Sequence, residues 1–395
     1  MYEKNRYSSD IRYALGLYKI LGRVLGIWPL QCQDILSTFN ITIVVTSVLW
    51  MSISLTKQLI TKGNCGTVTE LVDVISVTSC GFVTVIKVII PRVYHAEMNV
   101  IVNSVINDWN TVNNKRYRLI MLKYAYIGRV VFIVQMIGAY AAEFPLIIYK
   151  LPFIMSLWSN DQNDSAPIYT FPIGPSCWVS SDISMIYYIL YYICLSIQLT
   201  IACTAYFGVD TYFFGIAIHV CGQFTLLSHS LDHVYSNGDV VIQKYEFSLF
   251  IKRHKHLLLL ANNFEKTYNL IILSQVAIDT LLICISGIVL LMTMHTRDLV
   301  VIIGLIIRIN IVYVQLFIYC YVGEQLHTQA EKMGSTVYNC LWYNMSPKVT
   351  KDIAFMIMRT NYSFNLTAGK MYSMNIENYK NIVKTMASFF SVLRL

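Results

Sequence analysis

Charged residues are scarce in this sequence. Asp, Glu, Lys and Arg make up 13% of its 395 residues, whereas hydrophobic residues make up 56%. Soluble domains usually carry about 25% charged residues. The low charge therefore excludes an ordinary soluble domain, and the long apolar stretches predict an all-α membrane protein with several spans.

The sequence also lacks the usual marks of enzymes and metal sites. Its ten cysteines form no CxxC pair, which argues against zinc. We find no phosphate-binding loop, no nucleophile elbow and no paired catalytic acids. The sequence therefore predicts neither an enzyme nor a cofactor.

No stretch rich in Pro, Gly or Ser divides the chain, so we expect a single domain over residues 1–395. Within it we predict a cytosolic N-terminal region (1–35), six spans (36–322), a cytosolic anchor region (323–373) and a last span (374–395).

Seven segments are long and apolar enough to cross a bilayer, which takes roughly 20 residues. They are 36–55, 67–90, 125–149, 183–207, 268–293, 299–322 and 374–394. The apolar character of the fourth segment continues into 206–262. This predicts either an eighth span or, as we favour, a fourth helix that projects into the cytosol.

Lys and Arg residues indicate the orientation of the spans, because cytoplasmic segments carry an excess of them. With the N-terminus inside, 24 of the 30 Lys and Arg residues fall on the inner side. The bias predicts a cytoplasmic N-terminus and an extracellular C-terminus. It also accounts for the net charge of +8 without nucleic acid as a partner.

Residues 11–28 form an amphipathic pattern ahead of the first span. Apolar residues recur at helical spacing, at Ile11, Leu15, Tyr18, Leu21, Leu25 and Trp28. The pattern suits a helix on the inner membrane surface. It suits equally a cytosolic helix packed on the protein.

The last segment is too polar for an ordinary lipid-facing span. On a helix one stripe carries Glu377, Asn381, Lys384, Ser388, Val392 and Leu395. Charged residues inside a membrane face a bundle interior or water. Several copies around an axis would line a pore that is polar inside and apolar near the outer face, where it could gate by dewetting. The alternative is an interface helix whose polar groups pair with neighbours.

Several motifs resemble those of insect odorant receptors. The closing stretch FMIMRTNYSFNLTAGKMYSMNIENYKNIVKTMASFFSVLRL is similar to the C-terminal signature of that family. Further matches are LGIWP at Leu25–Pro29, YVGEQL at Tyr321–Leu326, and the residues Asp210, His219, Gln223, Phe224, Ser335, Val337, Tyr338 and Trp342. They occur in the order of the family and span most of the chain.

The resemblance implies a ligand-gated, non-selective cation channel in the plasma membrane of sensory neurons. It implies a heterotetramer of tuning receptors, the type this chain resembles, with a shared co-receptor. It also implies a small lipophilic volatile as ligand and a central pore lined by the last helix. Membrane lipid is a further expected partner. A gustatory-type channel of the same fold and, less favoured, a G-protein-coupled seven-helix receptor are the alternatives.

The resemblance also implies roles for particular residues. Val392 matches a gate valine, with Leu395 beside it on the stripe. Subunits would meet at Tyr338, Trp342, Ile353, Met356 and Ile357. The ligand pocket would lie in the outer half of spans two to six, at Asp73, Val77, Cys80, Gln135, Gly138, Ala139, Tyr140, Tyr187, Tyr188, Tyr191, Ile306, Asn310 and Tyr313.

Two further pairings are hypotheses. Asp279 and Arg308 lie near mid-membrane on adjacent spans, and two separate charges there would be costly, so we expect an ion pair. Cys65 and Cys177 fall in outer loops, where they could form a disulfide or remain two free thiols.

Overall fold

A computed structural model describes residues 9–63, 65–151, 170–179, 183–234, 240–296, 298–340, 342–344, 347–360 and 364–393. Over these residues the chain is mainly helical, as predicted. The α-helices are α1 (Ser9–Val24), α2 (Ile35–Lys62), α3 (Val68–Val93), α4 (His95–Thr111), α5 (Lys115–Tyr149), α6 (Met185–Val234), α7 (Val240–Thr296), α8 (Leu299–Tyr338), α9 (Pro347–Thr360) and α10 (Ile376–Leu393).

Six of these helices are long and apolar enough to cross a membrane, namely α2, α3, α5, α6, α7 and α8. They coincide with the first six predicted spans. α10 coincides with the seventh predicted span but is not among these six, because its 18 residues include the charged Glu377, Lys380 and Lys384.

Three helices are much longer than a bilayer requires. α6, α7 and α8 contain 50, 57 and 40 residues. At 1.5 Å per residue they extend about 60 to 86 Å, whereas the hydrocarbon core is about 30 Å thick. The unbroken α6 confirms the projecting fourth helix and excludes an eighth span between residues 206 and 234.

The LGIWP motif forms the turn between α1 and α2. Gly26 has a φ of 71°, and a Cβ there would collide with the Ser37 carbonyl oxygen, so only glycine fits. Ser37 Oγ donates to the Gly26 carbonyl at 3.0 Å, and Arg92 Nη1 donates to Ser37 Oγ at 2.9 Å. Trp28 is buried beside this turn. The motif thereby fixes α1 against α2 and α3.

α1 packs on the protein through its apolar stripe. The ring of Tyr18 lies against Gly215 of α6, where a larger residue would collide with it. Arg129 Nη1 of α5 donates to the Tyr13 carbonyl at 2.8 Å. The packing alternative is therefore confirmed, because all six predicted apolar positions are buried, namely Ile11, Leu15, Tyr18, Leu21, Leu25 and Trp28.

α4 connects the projecting parts of α6 and α7. Its Asp108 accepts hydrogen bonds from Arg253 of α7 at 2.6 Å and from His219 of α6 at 3.3 Å. Lys266 of α7 donates to Glu97 of α4 at 2.7 Å, and this hydrogen bond lowers the pKa of the Glu97 carboxyl. These contacts hold the extended helices as one bundle.

The predicted anchor region contains α9, which begins at Pro347. It is followed by two short antiparallel strands that the sequence did not predict, β1 (Thr367–Ala368) and β2 (Tyr372–Ser373). The Gly369 amide in their turn donates to the Asn269 carbonyl of α7 at 2.9 Å. The hairpin therefore fastens the start of α10 to α7.

A buried ion pair lies at the centre of the bundle. Lys87 Nζ of α3 is 2.6 Å from Asp210 Oδ2 of α6, and both side chains are at most 1% exposed. Tyr319 of α8 donates to the other oxygen of Asp210. Lys87 Nζ also lies 3.6 Å from the ring centroid of Tyr206. The pair thereby joins three spans in an environment where an unpaired charge would be costly.

α7 joins the same network through Gln275. Its amide nitrogen donates to the Tyr206 hydroxyl and, at 2.7 Å, to Asp279 Oδ1. Asp279 is 1% exposed. Four spans therefore meet through polar side chains in the interior of the bundle.

Replacing Lys87→Met should destabilise the protein by about 3–5 kcal/mol, because the Asp210 carboxylate would stay buried without its cation. We expect a lower unfolding temperature for the purified chain in detergent. The double variant Lys87→Met/Asp210→Asn removes both charges and should recover much of the loss. A double variant as unstable as the single one would contradict the ion pair.

Candidate functional site

Two loops joined by a disulfide cover the end of the bundle that the sequence predicts to be the outer one. Cys65 follows α2 and Cys177 precedes α6, and the two are bonded. Trp178 Nε1 donates to the Gly63 carbonyl at 3.2 Å, and Lys62 donates to the Trp178 carbonyl. The disulfide alternative is therefore the one observed, and these loops form a fixed cap.

Aromatic side chains of α6 pack beneath this cap. Tyr188 is 1% exposed, and its hydroxyl donates to the Thr170 carbonyl at 2.7 Å. The Tyr191 ring lies 4.6 Å from that of Phe171, and its hydroxyl accepts from Gln58 Nε2 at 3.0 Å. Two of the predicted ligand-binding tyrosines thus share one apolar layer under the cap.

A second group of predicted pocket residues lies on α5. Gln135 Nε2 donates to Gln315 Oε1 of α8 at 3.3 Å. The Tyr140 and Thr204 hydroxyls are 2.8 Å apart, which joins α5 to α6. Ala139, which lies between Gln135 and Tyr140 in the sequence, is also buried. These three positions face other helices of the same chain.

Four predicted pocket residues lie instead on the surface of this chain. Tyr187 is 59% exposed and Ile306 is 44% exposed. Gly138 and Asn310 are also exposed, and Asn310 Nδ2 donates to the Ile306 carbonyl of its own helix at 2.8 Å. The structure does not bring them together with the buried group, and their role in ligand binding stays a prediction.

Asp73 of α3 forms an ion pair with Arg308 of α8 in the outer half. The predicted pair of Asp279 with Arg308 is therefore wrong. Asp279 lies 17 residues before the end of α7, whereas Arg308 lies nine residues after the start of α8, so Asp279 is roughly 12 Å deeper. The remaining predicted pocket residues, Val77, Cys80 and Tyr313, are half-buried.

The YVGEQL motif of α8 contacts the start of α10, the candidate pore helix. A Cβ at Gly323 would collide with the Met374 carbonyl oxygen, so glycine allows the chain before α10 to touch α8. Glu324 Oε2 then accepts from the Ile376 amide at 3.2 Å. A carboxylate suits this position, because the first amides of a helix lack partners and carry partial positive charge.

One face of α10 packs on the hairpin of α7 and α8. Met386 is 2% exposed and forms an apolar cluster with Ile283 of α7 and Val312 of α8. Ile382 and Tyr313 pack against this cluster. The apolar face of α10 is therefore buried against α7 and α8 of the same chain.

The opposite face of α10 is exposed and polar. It carries four of the predicted pore residues, Glu377, Asn381, Lys384 and Ser388, together with Lys380 and Thr385. Thr385 Oγ1 donates to the Asn381 carbonyl of the same helix at 2.8 Å. The predicted gate residue Val392 lies in the last turn of α10, and Leu395 lies outside the described residues.

The predicted subunit-contact residues divide into two groups. Ile353 and Met356 are buried in the core of their own chain, so direct contact with a neighbouring subunit, as predicted, does not fit this structure. They face inward because they form the apolar side of the amphipathic α9. Tyr338 is exposed, whereas Trp342 and Ile357 are half-buried.

Sequence reasoning missed three interactions, namely Lys87 with Asp210, Arg308 with Asp73, and Glu324 with α10. The Lys87–Asp210 pair could have been found from the sequence. The two residues have opposite charge, and each lies about three residues from the inner end of a predicted span, so they lie at a similar depth. The YVGEQL motif is visible in the sequence, but its contact with residues fifty positions later gives no local pattern.

These features define a polytopic α-helical membrane protein with a capped outer half and a last helix of two unlike faces. The 7tm Odorant receptor family matches residues 67–387, and the chain belongs to this family.

Individual relatives are insect proteins. The chain is 27% identical to odorant receptor 13a of Drosophila melanogaster over 228 residues, which are 53% of this chain and 54% of that one. It is 21% identical to the odorant receptor coreceptor of Aedes aegypti over 147 residues, 36% of this chain and 30% of that one. The chain thus spans about half the length, or less, of the curated relatives it matches.

The fold resembles that of the insect olfactory receptor OR5 from Machilis hrabei. The TM-score is 0.75 at 14% identity, with 97% of this chain and 98% of that chain covered. The structure of the same receptor in complex with eugenol gives a TM-score of 0.72 at 13% identity, with 97% and 99% covered. At this identity the likeness concerns the fold.

Replacing Glu324→Ala should loosen the base of α10, because the Ile376 amide would lose its acceptor. We expect a loss of about 1 kcal/mol of stability, the usual effect of losing a helix cap. Thermal unfolding of the purified chain measures it. Glu324→Gln keeps an acceptor oxygen and serves as the matched control, and equal losses in both variants would contradict the capping role.

Proposed function

We propose that the chain is an odorant receptor subunit of a ligand-gated, non-selective cation channel. The exposed polar face of α10 carries this proposal. In a bilayer, side chains such as Glu377 and Lys384 need water or polar partners, because exposure to lipid costs several kcal/mol. α10 already uses its apolar face against α7 and α8, so its polar face is left for an aqueous pore.

A pore forms when several copies of such a helix surround one axis. The side chains from Glu377 to Ser388 then line a wet inner section. Toward the outer end the stripe becomes apolar at Val392 and Leu395. A narrow apolar ring excludes water when closed, and a small widening lets water and ions enter. In this proposal α10 is the seventh span.

The ligand is a small lipophilic volatile that binds in the outer half of the bundle. Aromatic side chains and a few polar groups between helices suit such a molecule. The disulfide-linked cap separates this region from the outer solution. The related receptor solved with eugenol supports a ligand of this size.

The partner is a shared odorant co-receptor in a heterotetramer within the lipid bilayer. The partial similarity to a coreceptor supports this assembly. Exposed apolar side chains in the anchor region suit contacts between subunits, because large apolar groups are rarely left in water. They are Tyr338, Tyr343, Phe355 and Met358.

The protein lies in the plasma membrane of a sensory neuron, with its N-terminus in the cytoplasm and its C-terminus outside. The excess of Lys and Arg on the side of the N-terminus supports this orientation. The disulfide at the opposite end supports it too, because disulfides persist in oxidising compartments and rarely in cytosol. Membership of the odorant receptor family favours this function over the gustatory alternative and leaves a G-protein-coupled receptor without support.

Cells that express this chain together with an insect odorant co-receptor should show a cation current evoked by volatile ligands. The current should need both chains and persist when G-protein signalling is blocked, because the pore is part of the complex. Whole-cell recording against a panel of volatiles measures it. A response that disappears with the G-protein block would contradict the channel.

Replacing Ser388→Cys should make the current sensitive to a water-soluble, thiol-reactive cation, because position 388 faces the pore. We expect the ligand-evoked current to fall several-fold on exposure in the open state. The matched control is Met386→Cys, two residues away on the buried face, which should respond no more than the unaltered chain. Equal sensitivity of both variants would contradict the assigned pore face.

A further inference from the structure

The hairpin of α7 and α8 contains two apolar clusters at different depths. The outer cluster joins Val72 of α3, Val289 of α7 and Leu305 of α8. The inner cluster joins α7 and α8 to Met386 of α10. The cluster residues are six apart on α7, at Ile283 and Val289, and seven apart on α8, at Leu305 and Val312, so one layer of side chains lies between the clusters.

Ser286 and Arg308 occupy this intermediate layer. Ser286 lies three residues along α7 from Val289 of the outer cluster and three from Ile283 of the inner cluster. Arg308 lies three residues from Leu305 and four from Val312 along α8. Since residues three and four apart share one face of a helix, both side chains point into the layer. Asp73 of α3 reaches it from a third helix.

Both residues carry a buried donor that the described part of the chain leaves without a hydrogen-bond partner. Ser286 is 1% exposed, and its Oγ has no partner there. Thr280 and Thr293 on the same helix donate to the carbonyl one turn earlier, each at 2.7 Å. Arg308 uses Nη2 for Asp73, while its Nη1 is buried and unpartnered.

Such unpartnered buried donors are unfavourable unless something else accepts their hydrogen bonds. We propose that the Ser286–Arg308 layer binds the oxygen atom of the odorant, which accepts from Arg308 Nη1 and from the Ser286 hydroxyl. The ligand class is a small, neutral, lipophilic molecule with an acceptor oxygen, namely a ketone, aldehyde or ester. This inference rests on the proposed function and specifies the ligand of its outer site.

The charge of the layer selects among oxygen-containing ligands. Asp73 already neutralises Arg308, so a carboxylate ligand would bring an uncompensated negative charge into the bundle. A neutral carbonyl accepts the same hydrogen bond without that cost. The apolar cluster beside the layer, at Val72, Val289 and Leu305, suits the hydrocarbon part of the ligand.

The position of the layer also connects the ligand to α10. The inner cluster begins one helical turn from Ser286 and Arg308, and it contains Met386 of α10. A ligand that orders these two side chains therefore acts on the part of the hairpin against which α10 packs.

The test compares a medium-chain methyl ketone with the alkene and the carboxylate of the same length. Currents are recorded from cells expressing the chain with the co-receptor. For Ser286→Ala we expect the half-maximal ketone concentration to rise about tenfold, as for the loss of one hydrogen bond between the hydroxyl and the neutral carbonyl. The matched control is Ser274→Ala on the same helix, whose hydroxyl donates to the Ile271 carbonyl at 2.8 Å and which should leave the ketone response unchanged.

A second readout does not depend on conduction. The ketone should raise the unfolding temperature of the purified chain, more than the alkene does, and this difference should vanish in Ser286→Ala and in Arg308→Lys. Absence of current together with this ketone-specific stabilisation would contradict the channel but support the site. An alkene as effective as the ketone, a preferred carboxylate, or an equal effect of Ser286→Ala on ketone and alkene would overturn the site.

Discussion

A polar side chain inside a bilayer must find its partner within the protein, because hydrocarbon offers none. In this chain, three groups of polar side chains differ in how completely their hydrogen bonds and charges are paired. The Lys87–Asp210 pair is completed by Tyr319 and Tyr206 and holds the spans together. Arg308 is only half-satisfied by Asp73. The polar face of α10 is exposed on this chain. These degrees of satisfaction distinguish a structural part of the bundle from the parts that we propose bind the ligand and line the pore.

The hairpin of α7 and α8 is common to all three parts. It contributes Gln275 to the buried network, Ser286 to the proposed ligand layer and Glu324 to the start of α10. Helices are stiff and packed cores shift between discrete arrangements. In the proposed channel, a change in the outer half of this hairpin would therefore reach the base of α10 and its middle, where Met386 makes its contact.

The sequence predicts those features that depend on local pattern. Hydropathy located six spans, and the unbroken apolar character after residue 207 located the projecting part of α6, because both are properties of neighbouring residues. Side-chain partners across helices were harder. Arg308 was assigned to Asp279 on the adjacent helix, whereas Asp73 on a third helix lies at the right depth. The two faces of α10 were predictable from helical spacing. The contact of Gly323 with the start of α10 was not predictable, since it joins residues fifty positions apart.

The disulfide of the outer cap bears on how the chain is made. Cys65 and Cys177 are 112 residues apart, and α3 and α5 lie between them. Both cysteines reach the same side of the membrane only after these two helices have crossed it in opposite directions. In the proposed orientation both cysteines face the lumen of the endoplasmic reticulum during synthesis, where oxidation can join them once α3 and α5 have crossed. A chain in which one of these two helices fails to cross would hold its two thiols on opposite sides of the membrane, so formation of the bond requires that both helices have crossed.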